Sequence, residues 1–145
     1  MERIRIHTGL DHFIMLDAVN DMSADMIEGQ VYLENADPTL LLESLAQLAG
    51  LHIRHSLAFA RHAFLVKVAG MPLPAEKSLT GTYCLRGSLV GRSKDAFTYR
   101  VEASRGNVPI SQGQFLFGTI DYNDDFQKDI LQTHYRKVLA CVKRK

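Results

Sequence analysis

The chain has 145 residues, 46% of them hydrophobic, which suits one compact domain with its own core and excludes a disordered chain. Its formal charge of +1 at pH 7 sets up no field that would draw it to nucleic acid or to an anionic membrane. No stretch is long and apolar enough to span a bilayer, which takes roughly 18 residues. The start, Met1-Glu2-Arg3-Ile4-Arg5-Ile6, alternates charged and apolar side chains and is not a signal peptide, so a cytoplasmic location is expected.

In chain order, residues 13–19 (Phe-Ile-Met-Leu-Asp-Ala-Val) read as a short apolar strand. Residues 25–33 alternate, with Met26, Gly29, Val31 and Leu33 broken by Glu28, Gln30 and Tyr32, and predict a second strand. A turn-rich link follows, in which Asp37 is the candidate helix cap and Pro38 the first helical residue. From Thr39 to about Ala60 the chain reads as helix. Leu40, Leu41, Leu42, Leu45, Ala46, Leu48, Ala49 and Leu51 cover nearly all its faces. His52, Arg54, His55, Arg61 and His62 come later, so the first half is expected in the core and the second half toward the surface.

Beyond it the chain turns β-rich. Residues 63–69 form an apolar run that contains Lys67, and Met71-Pro72-Leu73-Pro74 must interrupt or edge that strand. Residues 78–89, 96–104 and 109–122 are three further strands, with turns at 91–95 and 105–107, as in an antiparallel meander. Asn123 or Asp124 then caps a second helix over about 124–142, with Phe126, Ile130, Leu131, Tyr135, Val138, Leu139 and Val142 on one stripe. The whole is a single α+β domain. Its curved antiparallel sheet wraps a long central helix, and an extra helix ends the chain; the hotdog fold is the specific form expected. A sheet that covers one side of its helix leaves apolar surface, so at least a homodimer is expected.

Glu43 is the most informative residue. It stands among leucines, where an ionised carboxylate is costly unless paired, and a carboxyl group in such a place can serve as general acid or base. Gln47 lies one turn later and can hydrogen-bond Glu43 or a substrate carbonyl. The alternative is that Glu43 only bonds a backbone group or Gln47 and orients the helix. The amides of Leu40 and Leu41 at the helix start can polarise a carbonyl, unless Asp37 caps them. Thr39, Leu40, Leu41 and Gly50 are the positions expected to meet substrate, although Gly50 by itself suggests only close packing with a strand or a partner helix.

His52 and His55 are three apart but lack a third ligand at a metal-site spacing, and His12 can approach a cleft from a neighbouring subunit or lie on the surface. Arg61, Lys67, Arg86, Arg92 and Lys94 can form a basic rim or act as solvated charges. Cys84 and Cys141 read as reduced thiols. No phosphate loop, dinucleotide fingerprint or hydrolase elbow occurs, and no metal or cofactor is expected.

Residues 43–50, Glu-Ser-Leu-Ala-Gln-Leu-Ala-Gly, resemble the central-helix motif Glu-Ala-Leu-Ala-Gln-Ala-Ala-Gly of the β-hydroxyacyl-acyl carrier protein dehydratases. The segment at 13–19 is similar to that family's first strand, and Phe115-Leu116-Phe117-Gly118 closes a strand set of the right number, so the resemblance spans roughly residues 9–122. It implies an acyl thioester substrate carried on acyl carrier protein or coenzyme A. It also implies that Glu43 is the acidic catalytic residue in a tunnel at a dimer interface, with Gln47 in support. The family's catalytic histidine sits in a His-Phe-Pro-Gly loop before the helix, whereas residues 31–39 here contain no histidine. Three readings follow: a dehydratase in which another group such as His12 supplies the base, a thioesterase relying on one helix carboxylate, or a non-catalytic acyl-binding or partner subunit.

Overall fold

A computed structural model describes residues 16–121. The elements are β1 (Ala18–Met22), β2 (Met26–Ala36), α1 (Thr39–Ser56), β3 (Arg61–Ala69), β4 (Leu79–Arg92), β5 (Ala96–Arg105) and β6 (Val108–Asp121). All six strands form one sheet in the order β1-β2-β4-β5-β6-β3, antiparallel at every pairing. β4, β5 and β6 make the expected meander. β3 follows α1 in sequence but joins the far edge beside β6, so the three later strands lie between it and β2. The predicted C-terminal helix and residues 13–15 of the predicted first strand fall outside the described residues. No described helix is long and apolar enough to cross a membrane.

Alternation decides which face of the sheet is core. Ile27, Val31 and Leu33 of β2, Tyr83 and Leu85 of β4, Phe97, Tyr99 and Val101 of β5, and Phe115 and Phe117 of β6 are all buried. Between them Cys84, Arg86 and Arg100 are exposed and Glu28 and Glu102 half-buried. α1 lies across the inner face, in contact with β2, β3, β4 and β5, and buries Leu41, Leu45, Leu48 and Leu51 completely. Each such leucine contributes about 1.5–3 kcal/mol through burial. Gly29 of β2 marks the tightest approach. A Cβ there would stand 2.7 Å from the Ala18 carbonyl oxygen and 2.9 Å from Leu48 Cδ1, so only glycine lets β1, β2 and α1 meet.

The helix starts where Asp37-Pro38-Thr39 predicts. Asp37 Oδ1 accepts hydrogen bonds from the Thr39 amide at 2.9 Å and from its hydroxyl at 2.8 Å. It ends earlier than Ala60. Ala58 and Phe59 turn left-handed, with φ of 52° and 60°, and the Phe59 amide donates back to the Arg54 carbonyl at 2.7 Å. This stop uses no glycine; burial of the Phe59 ring and its edge contact with His55 at 6.3 Å hold it in place.

The expected division of the helix is reversed. From Leu48 to Arg54 every residue is buried, the polar His52 and Arg54 included, whereas Leu40, Leu42, Glu43, Ala46 and Gln47 in the leucine-rich half are only half-buried. The reason is that partners reach the polar side chains. His52 meets Tyr99 and Ser23, and Arg54 donates to the Ala63 carbonyl at 2.7 Å.

Candidate functional site

The half-buried residues of α1 form a stripe. Leu40, Leu42, Glu43, Ala46 and Gln47 follow each other at helical spacing, while Leu41, Ser44, Leu45 and Leu48 point into the core. The Ser44 hydroxyl donates to the Leu40 carbonyl at 2.8 Å and takes no part in the stripe. Glu43 and Gln47 stand one turn apart in this apolar setting. Glu43 Oε2 and Gln47 Oε1 are both closed off from solvent, and neither has a hydrogen-bond partner. A buried acceptor without a donor costs about 1–3 kcal/mol, and such atoms in a native fold call for a reason. Both free atoms are acceptors, so what they lack is a donor. A hydroxyl group or a water molecule has the matching chemistry.

The first turn of the helix does not offer the expected free amides. The Thr39 amide donates to Asp37 Oδ1, the Leu40 amide to the Asp37 carbonyl at 3.0 Å, and the Leu41 amide to the Pro38 carbonyl at 3.1 Å. These tight local bonds close the turn, so the oxyanion-type pair at Leu40 and Leu41 is corrected to a capped helix start. The two bonds from Thr39 also hold the Asp37 carboxyl below the usual range. Thr39 is exposed, Leu40 half-buried and Leu41 fully buried. Gly50 is buried, and a Cβ there would stand 2.8 Å from Arg54 Nη1. The close neighbour is thus a guanidinium of the same helix, not the strand or partner helix expected.

His52 and His55 do not converge as a metal pair. His52 Nδ1 accepts from the Tyr99 hydroxyl at 2.5 Å, and Nε2–H donates to the Ser23 carbonyl at 2.8 Å. Both ring nitrogens are used. His55 stands edge-on to Phe59, and no group of three metal-ligating side chains occurs among the described residues. Burial lowers the His52 pKa, against the Ser23 bond that raises it. Burial, with the Arg54 charge behind it, pushes His62 down to about 4. Nothing in the sequence pointed to Tyr99 or Ser23 as partners of His52, because 47 and 29 residues separate them. His12 lies outside the described residues.

The cations expected to make one basic rim are dispersed. Arg61 binds Asp95 at 2.6 Å and Asp121 at 3.2 Å, tying the start of β3 to the β4–β5 turn and to the end of β6. Arg86 faces Glu28 at 3.5 Å, and Arg92 lies over the Phe97 ring, 4.9 Å from its centroid. Lys67 is on the edge strand and Lys94 in the β4–β5 turn, both exposed. Cys84 is an exposed free thiol on the outer face of β4.

No family model matches the chain, and no curated protein does. Solved structures do. A chain of the dehydratase heterocomplex ApeI:P from Xenorhabdus doucetiae superposes with a TM-score of 0.61 at 12% identity, over 81% of this chain and 89% of that one. The fluoroacetyl-CoA thioesterase FlK gives 0.57 at 11% identity, over 82% and 96%. A thioesterase from Haemophilus influenzae gives 0.58 at 9% identity, over 69% and 75%. At these identities the likeness is one of fold. With one helix packed across six antiparallel strands, the chain has the hotdog fold of the dehydratase and thioesterase superfamily.

Proposed function

We propose that the chain acts on acyl thioesters, as a dehydratase of 3-hydroxyacyl groups carried on acyl carrier protein or coenzyme A, working as a homodimer in the cytosol. The observation that carries this reading is the pair of unpartnered buried acceptors, Glu43 Oε2 and Gln47 Oε1, on the half-open apolar stripe of α1. A 3-hydroxyacyl group brings both complements: a hydroxyl that donates to such an oxygen, and a tail that suits Leu40, Leu42 and Ala46. In dehydration the α-proton goes to a base, the C–O bond breaks, and the departing hydroxyl takes a proton and leaves as water. Glu43 is the acid–base group of this step, Gln47 positions it, and His12 is the candidate for the second group. The solved relatives include a dehydratase and thioesterases, which supports the substrate class.

One observation favours hydrolysis as a second reading. Residues 31–39 hold no histidine, and both ring nitrogens of His52 are occupied, so one carboxylate has to suffice. In that case Glu43 takes a proton from water, the water oxygen adds to the thioester carbon, and the C–S bond breaks with the thiol leaving protonated. The test is to assay the pure protein and Glu43→Gln on 3-hydroxyacyl and saturated acyl thioesters, following enoyl formation and thiol release. Enoyl product, reduced at least about 100-fold by the substitution, is the expected result. Thiol release with the same loss selects the thioesterase. Turnover of neither substrate, or a variant equal to the wild type, overturns both and leaves a binding or partner subunit.

A further inference from the structure

The two edges of the sheet are built differently. β1 is five residues long and polar toward its end, with Asn20 and Asp21, the short, polar form that resists pairing with another chain. β3 has nine residues and runs Phe64-Leu65-Val66-Lys67-Val68 through its middle. Its far side carries no strand among the described residues. Phe64 is 40% exposed, Val66 56% and Val68 36%, and Ile120 of the adjoining β6 is 36% exposed. Phe64 lies flat over Gly118, with Cζ 2.8 Å from where a Cβ would be, so the apolar surface runs from the edge onto β6. Val66 falls at a bulge and has no counterpart on β6. A long apolar edge of this kind is a template for strand addition.

We propose that β3 pairs antiparallel with β3 of a second copy about a two-fold axis centred on Leu65, joining two six-stranded sheets into one of twelve. The charge pattern selects the register. Centred on Leu65, Lys67 faces Ala63 of the partner subunit, and the two ammonium groups stand four residues apart along the strands, about 13 Å. That exceeds the screening length of about 8–10 Å. A register centred on Lys67 puts like charges directly opposite each other, which is unfavourable. The alternative of β3 adding to the opposite edge of another copy does not close and leads to fibres; the short, polar β1 opposes it, whereas a two-fold pairing closes at two chains. The pairing concerns assembly and does not rest on the thioester reading.

The experiment is the molar mass of the full chain in solution by light scattering, for wild type, Val66→Asp and Val90→Asp. Val90 is 55% exposed on β4, away from this edge, and serves as the control. A wild-type dimer, a dimeric Val90→Asp and a monomeric Val66→Asp with unchanged circular dichroism are expected, the last from a carboxylate placed against Phe64 of the partner subunit and a dissociation constant raised at least about 100-fold. Amide exchange over residues 64–68 of the unmodified protein, slowing as concentration rises, gives the same answer should Val66→Asp not fold. A monomeric wild type, a dimeric Val66→Asp, or exchange at 64–68 that is fast at every concentration overturns the proposal. Because mass and turnover are read separately, failure of the interface and failure of the catalytic reading are distinguishable.

Discussion

Tyr99→Phe removes one hydroxyl and nothing else from the centre of the fold. Tyr99 is 0% exposed and His52 2%, so water cannot take the place of the lost donor without opening the core. His52 Nδ1 would be left as a buried acceptor while Nε2–H stays on the Ser23 carbonyl. The lost bond and the stranded acceptor together should cost about 2 kcal/mol. For a chain of this length that lowers Tm by roughly 6–10 °C. The ring contact between Tyr99 and Phe117, 5.9 Å between centroids, survives the change, so the loss reports the hydroxyl alone. Urea unfolding of Tyr99→Phe, His52→Leu and the double variant completes the cycle. The double variant should be more stable than the sum of the two losses by about 1 kcal/mol, because each change removes the other's partner. A Tyr99→Phe loss under about 0.5 kcal/mol, or strict additivity, would show that the network does not tie α1 to β5 as described.

Two further outcomes follow from the same coordinates. Gly29→Ala should cost about 1–3 kcal/mol, since its Cβ meets the Ala18 backbone oxygen, whereas Gly50→Ala meets only the movable end of Arg54 and should be neutral or stabilise α1 by up to about 1 kcal/mol; thermal unfolding of both decides, and an equal loss contradicts the packing. Acid should weaken the fold through His62 and His52. Their folded pKa values are depressed, so their contribution is whole above the ordinary value of about 6.5 and is lost as pH falls toward the folded value, about 4 for His62. With half the His62 ring open to solvent, about 1 kcal/mol is expected from it, and His62→Gln should flatten the stability profile over that window in urea titrations; an unchanged slope refutes the assignment.

Much of the secondary structure was legible. Alternation at Met26–Leu33, Phe97–Ala103 and Phe115–Phe117 marks strands because each has one face in the core and one in water. Asp37-Pro38-Thr39 marks the helix start because capping is local. The helix end was not legible, since Ala58 and Phe59 adopt left-handed backbone without a glycine and only the packing of Phe59 keeps them there. Nor was the extent of β1, which reaches past the apolar residues through Asn20 to Met22 because pairing with β2 decides it. Glu43 and Gln47 stood out as polar residues in an apolar helix, but the loss of the Leu40 and Leu41 amides to local carbonyls is a matter of turn geometry that residue types do not reveal.

By itself the sequence determined the periodicities, the single helix before a β-meander, and a carboxylate and an amide one turn apart among leucines. These are short-range properties, set by side-chain spacing and capping. Only the tertiary structure decided that β3 crosses to the far edge, that the polar half of α1 is the buried half, and which acceptors are left without a donor. Each of those depends on groups distant in sequence, such as Tyr99 and Ser23 for His52. A buried polar side chain is settled by the partner that reaches it, and that partner exists only once the sheet has closed over the helix.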